Sequence, residues 1–353
     1  MHRLVPEWSV QDAIQLTWPH ADGDWAPMLG AIEATLEQMA LVIARYQSLV
    51  IGVTDEATRR CLEHRLIQRG AEPERLHLVV VESDDTWARD HGPLATREGD
   101  ALRMHDFVFT GWGGKFPADR DNRLTQALDG AGLIACDVVS HDLVLEGGAL
   151  ETDGQGTLLT TEACLLNPNR NPELSRADVE ARLAETLGIE RVLWLAHGHL
   201  EGDDTDSHVD TLARFCDPST IAYVRCDDPE DAHHAALAAM EAELKALRQP
   251  DGSPYRLIAL PWPQACFDPE DGHRLPATYA NFVIINGAVL VPTYADRRDL
   301  DALAALAEAF PGRDIIPLDA TTVIRQHGSL HCLTMHWPAG TLARTDKSQG
   351  ATP

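Results

Sequence analysis

Hydrophobic and polar residues alternate along this chain with two different periods. Apolar residues spaced three and four apart predict helices over 26–45, 55–69, 122–129, 230–248 and 297–310. Ser175 and Asp178 are spaced as in a capping box, which predicts a further helix that ends at Gly188. Short apolar runs predict strands at 49–53, 76–81, 133–139, 143–150, 157–161, 191–195, 208–215, 220–226, 256–260, 279–285, 288–292, 314–318, 321–325 and 330–335. Helices and strands that alternate in this way predict an α/β fold.

Corners that contain glycine follow several of the predicted strands. They lie at Gly92, Gly147–Gly148, Gly198, Gly287 and Gly328. Their spacing is irregular, but they fit strand-helix units repeated around one centre, each of which presents a loop to a shared site. No linker divides the pattern, because 249–254 is typical of a turn and 261–276 of a surface loop. We therefore expect a single domain over 1–338, followed by a flexible tail at 339–353.

The charge of the chain narrows the classes of partner. Its 353 residues include 55 acidic and 29 basic ones, for a formal net charge of −26. This charge argues against nucleic acid or an anionic membrane and suits a cationic small-molecule substrate, although solubility alone also explains it. The sequence does not determine the oligomeric state, and a homodimer is one option.

The sequence also bears on location. We see no apolar segment of signal-peptide type at the start and no run that approaches the roughly 20 apolar residues of a membrane span. The seven cysteines include no C-x-x-C pair, which favours free thiols in a reducing compartment. A cytoplasmic protein is expected.

Three segments carry candidate chemistry. His208 and Asp210 alternate along a predicted strand, so both side chains should project to one face. Asp90 ends a polar segment that contains the aromatic Trp87, and Cys332 lies in an apolar run near the end of the pattern. Taken singly, each has an ordinary structural explanation: a solvated strand end, a polar loop and a buried cysteine. Together they supply a nucleophile, a proton carrier and two carboxylates.

The order of the motifs resembles that of the agmatine deiminase family, within the peptidylarginine deiminase-like enzymes that modify guanidino groups. The resemblance extends from Pro6 to Cys332. It rests on D-D-T-W-A-R-D-H-G-P at 84–93, G-W-G-G at 111–114, L-E-G-G at 145–148, N-P-N-R-N-P at 167–172, G-D-D-T at 202–205, H-V-D at 208–210 and H-C at 331–332.

The resemblance implies a five-bladed α/β propeller, the pentein fold, built from ββαβ units around a central site. It implies hydrolysis of agmatine to N-carbamoylputrescine and ammonia, in the service of putrescine biosynthesis, with no metal and no organic cofactor. Cys332 matches the family's nucleophile and His208 its general acid/base. Asp90 and Asp210 match the carboxylates that bind the guanidinium.

Five further positions match substrate-binding positions of the family. Glu146 belongs to the Glu-Gly-Gly step, Trp87 lies beside the first carboxylate, and Asp204 matches an acidic position near the amine end of the substrate. Trp112 and Gly113 belong to the Gly-Trp-Gly-Gly step.

Elementary chemistry agrees with the four catalytic assignments. A guanidinium is a planar, resonance-stabilised cation, and two carboxylates can accept its N–H groups in paired hydrogen bonds that fix its orientation. A thiolate can then add to the central carbon while an imidazole protonates the departing ammonia. The same carboxylates disfavour the thiolate in the free enzyme, which suggests that the cationic substrate helps to deprotonate Cys332.

The choice of substrate is open at this stage. The acidic loop with Asp203 and Asp204 favours agmatine, whose far end is an ammonium, but an arginine near the motifs could serve the carboxylate of an arginine substrate. The candidates are Arg89, Arg170, Arg214 and Arg325, each of which also has ion pairing as its ordinary role. The chain departs from the common family pattern at 326–329 and at Asp206-Ser207, beside the catalytic positions.

Two other classes remain as alternatives. A metal-dependent amidohydrolase could use His197, His199, His208 and Asp210, since a His-x-His step can present two imidazoles to zinc. A polyamine-binding module without catalysis is favoured by acidity alone.

Overall fold

A computed structural model describes residues 2–343, which form nineteen strands and nine helices joined by turns and six short 3-10 segments. The strands are Arg3–Leu4 (β1), Gln11–Thr17 (β2), Ser48–Val53 (β3), Leu76–Val80 (β4), Leu94–Glu98 (β5), Ala101–Val108 (β6), Asp137–Val144 (β7), Glu151–Thr152 (β8), Thr157–Thr161 (β9), Arg191–Leu195 (β10), Ala213–Asp217 (β11), Thr220–Val224 (β12), Arg256–Leu260 (β13), Cys266–Phe267 (β14), Arg274–Leu275 (β15), Val283–Ile285 (β16), Ala288–Thr293 (β17), Asp314–Asp319 (β18) and Met335–Pro338 (β19). The helices are Leu29–Ile43 (α1), Glu56–Gln68 (α2), Ala88–His91 (α3), Gly111–Gly114 (α4), Leu124–Gly130 (α5), Glu162–Leu165 (α6), Arg176–Leu187 (α7), His234–Ala246 (α8) and Asp299–Ala309 (α9).

Five sheets share one pattern. In each, two strands pair antiparallel, and one of them is followed, after one or more helices, by a third strand that pairs with it in parallel. Four of them follow the chain: β5-β6-β7, β8-β9-β10, β11-β12-β13 and β16-β17-β18. In the fifth, β19 pairs antiparallel with β2, which continues through α1 into the parallel strand β3. Parallel neighbours need a long crossover, and helices supply it in each unit. The predicted α/β class is confirmed. Within residues 2–343, no sheet closes on itself.

The crossover helices bury one face against the sheets. In α1 the buried residues Ile32, Leu36, Met39 and Ile43 recur at helical spacing. The stretch Ala26–Ile43 is long and apolar enough to be a candidate membrane span by length and composition. Because its apolar stripe packs into the main hydrophobic core, α1 is explained as a core helix.

The ends of helix α7 follow the predicted capping signals. The Ser175 hydroxyl accepts a hydrogen bond from the Asp178 N–H, and the Asp178 carboxylate accepts one from the Ser175 N–H at 2.9 Å. The helix ends at Gly188, whose φ of 67° is in the left-handed region. A Cβ there would also approach the His2 carbonyl oxygen to 2.0 Å, so the position requires glycine.

Four predicted strands around the motifs, at 143–150, 208–215, 321–325 and 330–335, are wrong in whole or in part. Val209–Thr211 forms a 3-10 turn, and the strand begins only at Ala213. Val323–Gln326 is also a 3-10 turn, residues 330–333 form a turn that carries Cys332, and Gly147–Ala149 is a third 3-10 segment. Most residues of these segments are buried, and the sequence pattern does not distinguish a short buried run in a turn from one in a strand. The sequence analysis also missed strand β2 and the β5-β6 hairpin.

The predicted tail at 339–353 lies partly within the described residues. The Ala343 N–H donates to the Leu133 carbonyl at 2.8 Å, and Leu342 forms a bridge with Ile134. Residues 339–343 therefore belong to the folded part, which corrects the predicted boundary. Residues 344–353 lie outside the described residues.

Candidate active site

The motif segments meet at a cleft of about 500 Å³, open mouth included. Helix α3 and the 3-10 turn Gly147–Ala149 come after strands β4 and β7, and the 3-10 turn Val209–Thr211 and the turn at 330–333 come just before strands β11 and β19. Loops at strand ends can carry reactive side chains on a rigid frame. The structure therefore brings Asp90, His208, Asp210 and Cys332 together, as the sequence analysis predicted.

Asp90 is fixed by two hydrogen bonds. Its Oδ1 accepts the Gly148 N–H at 2.9 Å, and its Oδ2 accepts the Trp112 Nε1–H at 3.0 Å. Burial raises the pKa of this carboxyl, although the neighbouring His208 opposes the shift. Trp112 reaches Asp90 from a backbone with a φ of 56°, a conformation that is rare for a residue of this size.

His208 is fully buried between two carboxylates. Its Nδ1 lies 3.5 Å from Asp90 Oδ1, and its Nε2 lies 3.6 Å from Glu146 Oε2. Burial alone would lower the pKa of the imidazole, but the charge of Asp90, followed by the interactions with Cys164 and Glu146, outweighs it and holds the pKa well above its usual value. The ring is therefore suited to donate a proton at neutral pH.

Cys332 is 5% exposed and lines the base of the cleft. Its Sγ lies 3.4 Å from Asn281 Oδ1 and 3.9 Å from Asp210 Oδ2. Burial, followed by the charges of Asp210 and Asp90, raises the pKa of this thiol well above its usual value. In the free protein Cys332 is therefore a thiol.

Asp210 has one paired and one unpaired oxygen. Its Oδ2 lies 2.7 Å from His331 Nδ1, whereas Oδ1 is buried and has no hydrogen-bond partner within residues 2–343. Burial raises the pKa of Asp210, but the hydrogen bond from His331 outweighs it and leaves the pKa lowered. A buried carboxylate oxygen without a partner is costly, so it is an acceptor suited to an N–H group of a ligand.

Gly148 lies where these groups converge. A Cβ at this position would come within 2.5 Å of His208 Nδ1, 2.7 Å of Asp90 Oδ1 and 3.2 Å of Asp210 Oδ2. Because glycine has no Cβ, one imidazole and two carboxylates can all approach the Cα of Gly148.

The predicted substrate-binding residues occupy two layers. Trp87, Trp112 and Asp204 line the cleft. Glu146 lies behind His208 and is paired with Arg170 at 2.8 Å, and Gly113 packs against Asn169, which a Cβ would approach to 2.4 Å.

The mouth of the cleft is acidic. Asp24, Asp85, Asp203 and Asp204 line it together with Phe116, whereas no lysine or arginine is among its lining residues within the described part of the chain. Burial raises the pKa of Asp85 to about 6. Such a mouth attracts cations and repels carboxylates.

The four arginines near the motifs are engaged elsewhere. Arg170 pairs with Glu146, and Arg325 lies 2.7 Å from Glu270 Oε1. Arg89 and Arg214 lie beneath the site, where they pair with Glu7 at 3.6 and 2.7 Å. Each therefore has the ordinary ion-pairing role.

At 206–207, where the sequence departs from the common family pattern, Asp206 forms an ion pair with Arg170. Asp206 Oδ2 lies 2.7 Å from Arg170 Nη1, and Asp206 Oδ1 lies 2.8 Å from Lys115 Nζ. Burial raises the pKa of Asp206, but these hydrogen bonds lower it to about 2. Asp206 and Ser207 have φ values of 64° and 68°, which are strained for residues other than glycine.

The proposed zinc ligands do not meet. His197 is exposed and bonded to Glu243, and His199 is exposed beside His233, whereas His208 is buried in the site. The four residues of this alternative therefore do not form one metal site. Within residues 2–343, ligand atoms of Glu146, Cys164 and His208 do lie within 4.8 Å of one another.

Sequence reasoning missed the residues that hold the catalytic groups. Asn281 Oδ1 accepts hydrogen bonds from the N–H groups of His331 and Cys332, at 2.9 and 3.3 Å. His331 connects Asp210 to Glu7, with its Nε2 2.7 Å from Glu7 Oε2. His331 was visible beside Cys332 in the sequence, but no local pattern distinguished Asn281.

A buried thiol, an imidazole with a raised pKa and two carboxylates at the base of an acidic cleft define a site for a planar cation such as a guanidinium. The comparisons with known proteins agree with this class. The chain belongs to the Porphyromonas-type peptidyl-arginine deiminase family, whose model matches residues 3–338.

Three relatives illustrate the similarity. The chain is 33% identical over 359 residues to the agmatine deiminase of Stutzerimonas stutzeri, which covers 95% of each chain. A substrate-bound cysteine-to-serine variant of C. jejuni agmatine deiminase superposes with a TM-score of 0.87 and 35% identity over 96% of each chain. A Porphyromonas gingivalis protein provisionally assigned as an arginine deiminase superposes with a TM-score of 0.89 and 48% identity, over 97% of this chain and 100% of its own.

Proposed function

We propose that this chain is an agmatine deiminase, which hydrolyses agmatine to N-carbamoylputrescine and ammonia. One observation carries the proposal: carboxylates flank Cys332 at the base of the cleft, and the residues that line its mouth include acidic groups but no arginine or lysine. The base suits a guanidinium and the mouth suits an ammonium, which are the two ends of agmatine. The similarity to agmatine deiminases of S. stutzeri and C. jejuni supports the same substrate.

The first half of the reaction uses the thiol and the imidazolium. Asp90 and Asp210 hold the guanidinium, Cys332 loses its proton to solvent, and the thiolate adds its electron pair to the guanidinium carbon. His208 then protonates one amino group, the C–N bond breaks, and ammonia leaves with the bonding electrons. A thiouronium cation remains on Cys332.

The second half returns the protein to its starting state. His208, now neutral, takes a proton from water, and the hydroxide adds to the thiouronium carbon. The C–S bond breaks with its electrons returning to sulfur, which takes the hydroxyl proton. The ureido product leaves, with His208 again charged and Cys332 again a thiol.

This sequence predicts that substrate binding lowers the pKa of Cys332. The carboxylates of Asp210 and Asp90 contribute to its raised pKa, and a bound guanidinium would neutralise them. The ultraviolet absorbance of the thiolate, followed against pH with and without an unreactive guanidinium analogue, measures the change. Cys332→Ala provides the baseline for the other six cysteines, and an apparent pKa that the analogue leaves unmoved would contradict substrate-assisted deprotonation.

A second candidate is a deiminase of arginine or peptidylarginine. The 48% identity to the P. gingivalis protein and the name of the family favour it. The acidic mouth opposes it, because an α-carboxylate would meet Asp203 and Asp204.

A colorimetric assay for the ureido product distinguishes the candidates. We expect turnover of agmatine to exceed that of arginine and of an arginine peptide, measured side by side with one preparation of protein. Turnover of arginine without turnover of agmatine would overturn the proposal.

We also propose that the five sheets of repeated pattern stand around the cleft as the blades of a propeller. The recurrence of the pattern in five units and the position of the motif segments at strand ends support this arrangement. A cytoplasmic location and a cationic small-molecule partner, without nucleic acid or membrane, are part of the same proposal. Seven free cysteines and the net charge of −26 support it.

A further inference from the structure

His327 lies at the cleft mouth in the segment where the sequence departs from its family. Its side chain is one-quarter exposed and lines the cleft together with Asp203 and Asp204. Its φ of 66° is in the left-handed region, which is costly for a residue with a side chain. A strained residue at the mouth of a site indicates a functional role.

The hydrogen bonds of His327 fix its tautomer. Nδ1 lies 2.7 Å from the Gly202 carbonyl oxygen, which can only accept, so Nδ1 carries the hydrogen. In the neutral ring, Nε2 is then an acceptor, and it lies 3.7 Å from Asp204 Oδ2. Two acceptors therefore stand side by side at the mouth.

We propose that His327 Nε2 and the Asp204 carboxylate form a subsite for the primary ammonium at the far end of a guanidino substrate. This inference rests on the proposed function and adds His327 as a residue that determines specificity. An ammonium has three donors, and a nitrogen about 2.9 Å from each of two acceptors fits their spacing. A substrate that ends in a methyl group or a carboxylate gains nothing from this pair.

The surroundings hold the subsite in place. The His327 ring stacks on His273 with centroids 5.1 Å apart, which together with the Gly202 carbonyl fixes its orientation. Lys115 does not occupy the subsite: its Nζ donates to the backbone carbonyl of Asp204 and to the carboxylate of Asp206, and it acts on the Asp204 carboxylate only through its charge.

The test compares agmatine with 1-butylguanidine in wild type, His327→Gly and Asp204→Asn. Glycine suits the left-handed backbone at 327, so the first variant removes the imidazole and relieves the strain. We expect each variant to lower kcat/KM for agmatine by about tenfold and to leave that for 1-butylguanidine unchanged, because a hydrogen bond to a charged group is lost.

Binding to the Cys332→Ala protein, measured by calorimetry, separates the two proposals. Wild type that turns over neither compound contradicts the proposed function, whereas the calorimetric preference for agmatine over 1-butylguanidine still tests the subsite. Loss of that preference on adding His327→Gly supports the subsite. An unchanged preference, or an equal loss for both ligands, overturns it.

Discussion

Replacement of Cys332 by alanine is expected to abolish turnover of agmatine and to leave its binding intact. The reaction requires a sulfur that forms and then breaks a bond to the guanidinium carbon, and the cleft offers no second thiol among its lining residues within 2–343. Loss of a nucleophile that works with a proton carrier costs about 10⁶-fold in kcat in comparable sites. The ureido-product assay measures the turnover, and calorimetry measures the binding.

Binding should survive because other groups hold the substrate. Asp90 and Asp210 keep their hydrogen bonds to Gly148, Trp112 and His331 when the sulfur is removed. Cys61→Ala is the matched control, since Cys61 is exposed and should be replaceable without effect. Residual turnover of Cys332→Ala within tenfold of wild type would rule out the covalent route.

A single methyl group at Gly148 is expected to inactivate the protein almost as completely. The Cβ of alanine would lie 2.5 Å from His208 Nδ1 and 2.7 Å from Asp90 Oδ1, closer than such atoms approach in proteins. The imidazole and the carboxylate must move apart, and displacements of about 1 Å in a catalytic site can cost 10²-fold or more each in rate. We expect kcat/KM for agmatine to fall by about 10³-fold or more, measured by the same assay.

Gly30→Ala is the matched control for this substitution. Gly30 lies in helix α1, and a Cβ there meets nothing within 4 Å. Alanine at this position should leave the activity unchanged and alter the free energy of unfolding by at most about 1 kcal/mol, in the stabilising direction. Unfolding curves for both variants separate loss of the site from loss of the fold, and full activity of Gly148→Ala would contradict the assigned geometry.

The six longer helices could be predicted from sequence because their signals are local, whereas the four-residue helices α3, α4 and α6 were missed. The capping box at Ser175 and the left-handed Gly188 bound α7 as expected. The turn at 208–211 could not be predicted, since its alternating residues are buried and continue without a break into the strand that begins at Ala213. His208 and Asp210 nevertheless reach one site, since both side chains come within 3.2 Å of the position that a Cβ at Gly148 would occupy.

For a related reason, only some of the residues of the site could be identified from the sequence. Asp90, His208 and Cys332 stand in recognisable motifs, whereas Asn281 and Glu7 act through contacts that exist only in the folded chain. A buried polar residue has no periodic signature. Its role follows from the hydrogen bonds that it must find when water is excluded.

The pairing of β19 with β2 joins segments that are more than 300 residues apart, and Glu7 meets His331 across 324 positions beside the site. Contacts of such long range form late, because the chain must first lose the entropy of closing a very large loop. A partly folded molecule would therefore lack the support beneath Asp210. After dilution from denaturant, the recovery of activity should lag behind the recovery of helical structure. The rate at which turnover returns would then measure the final step of folding.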